Sequence, residues 1–147
     1  GLAIAAQRKG LSSRVFCLLG DGECNEGSVW ESAALAGHLG LAPLTVIVDV
    51  NGLQLDGPTA QILDTGSLAE KFRAFGFEAI EVDGHDVSAL WSVLAPTHTR
   101  PRVVLAHTTK GKGLSFAENC VEWHDNKLSD ELYAQALREL GREGSHA

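Results

Sequence analysis

The sequence predicts an α/β domain built as a parallel sheet flanked by helices, and three observations carry that prediction. Apolar runs of strand length alternate with stretches of helical length, the pattern of β-α-β units joined by right-handed crossovers. Two of the runs, 14–19 (RVFCLL) and 44–49 (LTVIVD), are continuously apolar instead of alternating, as in parallel strands covered on both faces. Gly20-Asp21-Gly22 then lies just past the end of the first run, where open α/β sheets bind their ligands. No repeat or low-complexity tract interrupts the alternation, and residues 1–147 read as one domain.

The elements follow in order. Residues 1–9 read as the tail of a helix ended by Gly10. After the strand 14–19 and the glycine-rich loop, residues 28–39 (SVWESAALAGHL) form an Ala-rich helix suited to close packing on a sheet. The strand 44–49 leads into a long loop over 51–65. Residues 67–75 are helical with Gly76 as the stop, and 78–82 alternate as a short strand. Asp86 is expected to cap a helix through residue 94 that Pro96 breaks, and 103–107 is a further strand. Lys110-Gly111-Lys112-Gly113 is a flexible basic loop. The chain closes on an amphipathic helix over 129–140, with Ser129 as N-cap and Leu132, Ala136, Leu137 and Leu140 on one face.

Composition narrows the class. A net charge of −7 argues against nucleic acid as a partner. No apolar stretch approaches the roughly 18 residues of a membrane span. No signal peptide opens the chain, because Arg8 and Lys9 follow the apolar residues instead of preceding them. Cys17, Cys24 and Cys120 are odd in number and lack metal-ligand spacing. Cys17 is expected to pack in a buried strand, and nothing requires a thiol at Cys24. The expected compartment is the cytoplasm.

The chemistry lies in Gly20-Asp21-Gly22-Glu23-Cys24-Asn25-Glu26-Gly27, together with Asn51 in Val48-Asp49-Val50-Asn51-Gly52-Leu53. Physically this is a divalent-metal and diphosphate site split over two strand ends. Gly20 and Gly22 let the backbone turn sharply and approach a phosphate. One carboxylate and one amide oxygen suit Mg²⁺, a hard cation that keeps substrate phosphates among its ligands. A lone Gly-Asp-Gly is more often a simple turn with an Asx residue; the second half, in strand context, is what favours the metal. An acidic domain that binds a diphosphate is a contradiction unless a bound cation supplies the local positive charge.

The motif GDGECNEGSVWESAALAGHLGL, then VDVNGLQLDGPT, then HTTKGKGLSFAEN with Trp123-His124, resembles the thiamine diphosphate signature of the transketolase family. It is similar in particular to the N-terminal, diphosphate-binding half found in split, two-subunit transketolases, over about residues 14–140. The resemblance implies the diphosphate-binding (PP-type) thiamine fold, in partial form, with thiamine diphosphate and Mg²⁺ as cofactors. Asp21 and Asn51 match the side-chain metal ligands and Leu53 the position that ligates through its carbonyl, with phosphate oxygens and water completing an octahedron. Gly20, Asp21, Gly22, Glu23, Asn51 and His124 are the implied cofactor contacts, Gly22 through its N–H. His124 matches a catalytic residue beside the diphosphate and the substrate hydroxyls, where a neutral imidazole exchanges protons. Glu26 matches an interface carboxylate that links paired cofactor sites; equally, it is a helix-start Glu favoured by the dipole. His38, His85, His98 and His107 read as structural. Lys110 and Lys112 are either phosphate contacts or a solvated loop.

The implied function is a component of an enzyme that transfers a two-carbon ketol group between sugar phosphates, with the thiazolium as electron sink. The Glu that activates the aminopyrimidine ring belongs, in that family, to a pyrimidine-binding domain that these residues do not supply. A C-terminal, pyrimidine-domain subunit is therefore the expected partner, in a hetero-oligomer, and the chain alone is expected to be inactive and to expose apolar surface. An upstream segment of the family, carrying a His and a Gly-Pro-Leu-like loop, is absent from this sequence, which reads as truncated at its N-terminus. The alternatives are the α-type component of a 2-oxo-acid dehydrogenase and a non-catalytic truncated subunit.

Overall fold

A computed structural model describes residues 1–141. In chain order the elements are α1 (Leu2–Arg8), β1 (Val15–Gly20), α2 (Gly27–His38), β2 (Leu44–Val50), β3 (Leu53–Gln54), β4 (Gly57–Pro58), α3 (Thr59–Leu63), α4 (Leu68–Ala74), β5 (Glu78–Asp83), α5 (Val87–Leu94), β6 (Arg102–His107) and α6 (Asp130–Glu139). Short 3-10 turns cover Gly22–Asn25 and Val121–His124. The main sheet has the order β1-β2-β6-β5 with every neighbouring pair parallel. The parallel sheet with flanking helices is thus the observed architecture.

Caps set the helix limits much as the sequence predicts. Ser67 accepts from Glu70 N at 3.2 Å, Asp86 from Ala89 N at 2.9 Å, and Ser129 from Leu132 N at 3.3 Å, each satisfying an N–H that the first turn leaves without a partner. At the other ends, Gly10 and Gly76 take φ of +62° and +88°, a region that glycine enters without steric cost.

One face of the sheet packs against α2 and α4. Val46 and Val48 of β2 and Val103 and Leu105 of β6 meet Ala33, Ala36, Ala69 and Phe72 there. Trp30 lies 5.1 Å from Phe72, centroid to centroid, and Phe72 lies 5.3 Å from Phe77. Burying Phe72 and Phe77 contributes about 1.5–3 kcal/mol each by removal of apolar area from water. The Ala-rich stretch does serve close approach. A Cβ placed on Gly37 would sit 1.6 Å from the Phe75 carbonyl oxygen, so α2 and the end of α4 touch backbone to backbone. On the opposite face, α5 is fastened at its C-terminus. Arg102 Nη1 donates to Val93 O at 2.6 Å, Arg14 Nη1 donates to Ala95 O at 3.0 Å, and Arg14 Nη2 donates to Leu94 O.

Three expectations need correction. The apolar run of β1 does not mark a strand covered on both faces. Among the described residues β1 is the edge of the sheet, with Phe16, Cys17 and Leu18 exposed, Leu18 to 70%. Cys17 is accordingly no core residue; hydrophobicity shows that a strand demands cover and not which element supplies it. His38, expected inside packed structure, is exposed at the end of α2. Finally, residues 51–65 are not one loop: they hold the antiparallel pair β3–β4 and the single-turn helix α3, all too short to leave a periodicity.

Candidate functional site

The C-terminal ends of β1 and β2 lie side by side, in the register Leu19↔Val48 and Gly20↔Asp49. Asp21 N–H continues that pairing onto Asp49 O at 3.0 Å, so Asp21 and Asn51 emerge at the same edge of the sheet. Asp21 is 6% exposed, and backbone donors hold both its oxygens: Gly22 N to Oδ1 at 2.9 Å and Gly52 N to Oδ2 at 2.8 Å. The second contact depends on glycine, because Gly52 has φ +75°. Asn51 is fixed as firmly, its Nδ2 donating to Asp49 Oδ2 at 2.9 Å and its Oδ1 accepting from Leu53 N at 3.0 Å.

These groups line one cleft of about 640 Å³ with Gly20, Gly22, Glu23, Glu26, Leu53, Gln54, Asp56, Lys110 and His124. Every residue predicted for the site therefore reaches the same cavity, including His124, which arrives from more than seventy positions beyond Asn51 through the 3-10 turn Val121–His124. The roles within the cleft differ from simple contact. Glu23 turns back, its Oε2 accepting from Gly20 N at 3.0 Å and so closing the turn. Gly22 N–H is engaged by Asp21, so a phosphate would share that donor with the carboxylate. A Cβ at Gly22 would also lie 2.7 Å from Gln54 Cβ, which no side-chain rotation relieves, so glycine lets the hairpin close over the turn. Glu26 sits at the N-cap position of α2 without a side-chain capping bond and is exposed at the rim. Of the two loop lysines, Lys110 lines the cleft, whereas Lys112 lies 4.0 Å from Glu118.

The electrostatics are one-sided. Asp21, Glu23, Glu26, Asp49 and Asp56 line the cleft together with Lys110 and His124. A diphosphate would be repelled from such a lining unless a cation came with it. Among the described residues no cluster of three His, Cys, Asp or Glu side chains could hold a metal. A cation would rest on the Asp21 carboxylate, the Asn51 amide oxygen and a backbone carbonyl, an all-oxygen set that fits Mg²⁺ and not a thiophilic metal. Cys24, buried beneath the turn, is no nucleophile: burial first, then the charges of Asp21 and Glu23, push its thiol up to about 11.

Sequence reasoning missed Asp49, Gly52, Gln54 and Thr108. Thr108 Oγ1 donates to Asp49 Oδ1, joining the end of β6 to the end of β2. A signal for Asp49 was available, since residues two apart in extended chain point the same way and Asp49 stands two before Asn51.

Fold and site together define a parallel α/β domain with an acidic ligand cleft at the carboxyl edge of its sheet. The family model for the transketolase thiamine diphosphate binding domain matches residues 5–147, and the chain belongs to that family. It is 36% identical over 148 residues to a 6-deoxy-6-sulfo-D-fructose transketolase subunit of Clostridium sp. (strain MSTE9), covering 99% of this chain and 54% of that protein. It is 43% identical over 142 residues to one subunit of the apulose-4-phosphate transketolase of Actinobacillus succinogenes, covering 95% of this chain and 51% of that protein. Among solved structures, transketolase from Campylobacter jejuni superposes with a TM-score of 0.88 at 28% identity, over 95% of this chain and 23% of that one. The chain thus spans about half the length of the curated subunits it matches.

Proposed function

We propose that this chain is the diphosphate- and Mg²⁺-binding component of a transketolase-like enzyme that moves a two-carbon ketol group between sugar phosphates, acting only with a partner that carries the pyrimidine-binding domain. The observation that carries the reading is the acidic cleft, where Asp21, Asn51 and Leu53 meet Lys110 and His124 from distant parts of the chain. Asp21 and Asn51 hold the cation by their side chains and Leu53 by its carbonyl, and the cation in turn holds the diphosphate. Lys110 adds the cleft's one fixed positive side chain. His124 is exposed at the cleft and has no hydrogen-bond partner among the described residues, which leaves its imidazole free to take and return a substrate proton. Thiamine diphosphate, once bound, supplies the electron sink that the side chains lack.

Two further observations support a partner. Two of the similar proteins named above are themselves called subunits, and their names carry sugar substrates: a sulfofructose in one case, a sugar phosphate in the other. The region around β1 also leaves apolar surface open, with Leu2 at 77%, Leu18 at 70% and Leu35 at 50% exposure. Cys17, Cys24 and Cys120 are free thiols, which suits a cytoplasmic site of action. Among the described residues no helix is long and apolar enough to cross a membrane.

The test is to assay ketol transfer from a ketose phosphate to an aldose phosphate, with thiamine diphosphate and Mg²⁺, for the chain alone and with a pyrimidine-domain subunit. Transfer should appear only with the partner. Turnover by the chain alone would overturn the partner requirement. Decarboxylation of a 2-oxo acid in place of ketol transfer would overturn the reaction class.

A further inference from the structure

We infer that Asp49 is a positioning residue: with Thr108 it sets the orientation of the Asn51 amide and so makes Asn51 fit to bind a cation. The inference rests on the metal-site reading under Proposed function and adds to it a residue that binds neither metal nor cofactor.

An amide has two ends of opposite polarity, and only its neighbours decide which way it points. Here both ends are specified. Asp49 Oδ2, an acceptor only, receives Asn51 Nδ2 at 2.9 Å, and Leu53 N, a donor only, gives to Asn51 Oδ1 at 3.0 Å. Turning the amide over would set its oxygen against a carboxylate and its NH₂ against an N–H. In the orientation present, Oδ1 keeps a second lone pair for a cation. Asp49 lines the same cleft, yet its two oxygens are turned to protein donors, Asn51 on one and Thr108 Oγ1 on the other.

Asp49 is itself held from two neighbouring strand ends, β1 through its carbonyl and β6 through its carboxylate. Its carbonyl receives Asp21 N at 3.0 Å from the end of β1, and Thr108 N reaches Val50 O at 3.1 Å from the end of β6. The Thr108 methyl lies against Gly84, where only glycine leaves it room: a Cβ there would come within 2.4 Å of it. Thr108 also begins the stretch that carries Lys110 and His124, so its bond to Asp49 ties that stretch to the end of β2.

The experiment titrates Mg²⁺ at saturating thiamine diphosphate, by calorimetry, on this chain assembled with its partner subunit, with thermal unfolding recorded for every variant. Asp49→Ala should weaken Mg²⁺ binding by about 10- to 100-fold, the usual cost of losing an outer-shell partner of a metal ligand. Thr108→Val should shift it in the same direction by less, and Thr108→Ser, which keeps the hydroxyl, should restore it. A lower melting temperature with unchanged Mg²⁺ affinity in Asp49→Ala would overturn the inference and leave Asp49 a stabilising residue only. Should Asp49→Ala fail to fold, the Thr108 pair decides: weakening by Val with rescue by Ser supports the assignment, and no change in Thr108→Val overturns it. Asp21→Ala run in parallel separates the two levels, since unchanged Mg²⁺ affinity there would overturn the metal site itself.

Discussion

The roles proposed for two side chains in the cleft differ, and single substitutions tell them apart. Asp21 is buried, and its two oxygens are aimed by the N–H groups of Gly22 and Gly52. In the proposed three-oxygen cation site it is the carboxylate ligand, so Asp21→Ala should abolish Mg²⁺-dependent binding of thiamine diphosphate to the assembled enzyme; undiminished heat of binding in a calorimeter would refute the assignment. His124 lines the same cleft, exposed, on a 3-10 turn. His124→Ala should therefore leave cofactor affinity in place while lowering kcat by roughly 10²- to 10⁴-fold, the range of a lost general acid or base. If instead stability drops and activity per folded molecule survives, His124 is structural.

At the scale of elements, the site depends on how closely α2 can lie against its neighbours. Cys24 and Trp30 tie the turn to the helix, the indole Nε1 donating to Cys24 O at 2.8 Å, and Trp30 packs at a tilt against Phe72 of α4, 5.1 Å between centroids. The contact that sets the spacing is Gly37 against Phe75 O. A methyl there cannot be absorbed by a side-chain rotation, because the obstacle is backbone. Gly37→Ala should cost about 1–3 kcal/mol of overpacking, seen as an earlier urea or thermal midpoint. A midpoint raised by the better helix propensity of Ala would show that α2 and α4 pack more loosely than this contact implies. Asp86 and the pair Arg14 and Arg102 act on α5 in the complementary way, one at its N-terminus and the others on its last carbonyls.

The whole molecule has a functional edge and a structural edge. Opposite the cleft, at the N-terminal ends of the strands, His98 Nδ1 faces Arg100 O at 2.7 Å and must carry the proton, so its Nε2 accepts from Thr45 Oγ1 at 2.9 Å. Burial above all, then the guanidinium groups of Arg102 and Arg14, holds this imidazole below its ordinary value of 6.5 against the pull of the Arg100 carbonyl and Glu78. The unfolded chain thus takes up a proton that the fold resists. Stability is full above the unfolded value and declines as pH falls below it. The melting temperature should fall as pH drops below the ordinary value of 6.5, and the fall should shrink in His98→Asn. An equal drop in the variant would assign acid sensitivity elsewhere. The fold's open flank, around Leu2, Leu18 and Leu35, lies beside β1.

The parallel sheet, nearly every helix and the cleft residues of the glycine-rich turn and of Asn51 were readable from local signals. Ser67, Asp86 and Ser129 cap because a short oxygen side chain reaches its own first turn, and Gly20-Asp21-Gly22 marks a strand end because only such residues turn there. The match of this motif to a family extended the reading to His124, which no periodicity could have placed beside Asp21. Other features were decided by contacts between segments far apart in the chain. That Cys17 and Leu18 lie open follows from β1 being an edge, and a strand's own residues do not state how many neighbours it has. The orientation of the Asn51 amide depends on Asp49, and that of Asp49 on Thr108, fifty-nine positions later. The sequence by itself determined which groups could bind a cation and a diphosphate, because ligand type is a property of the side chain. Only the tertiary structure decided which way those groups point, because direction is imposed by hydrogen bonds that close when β1, β2 and β6 come into register.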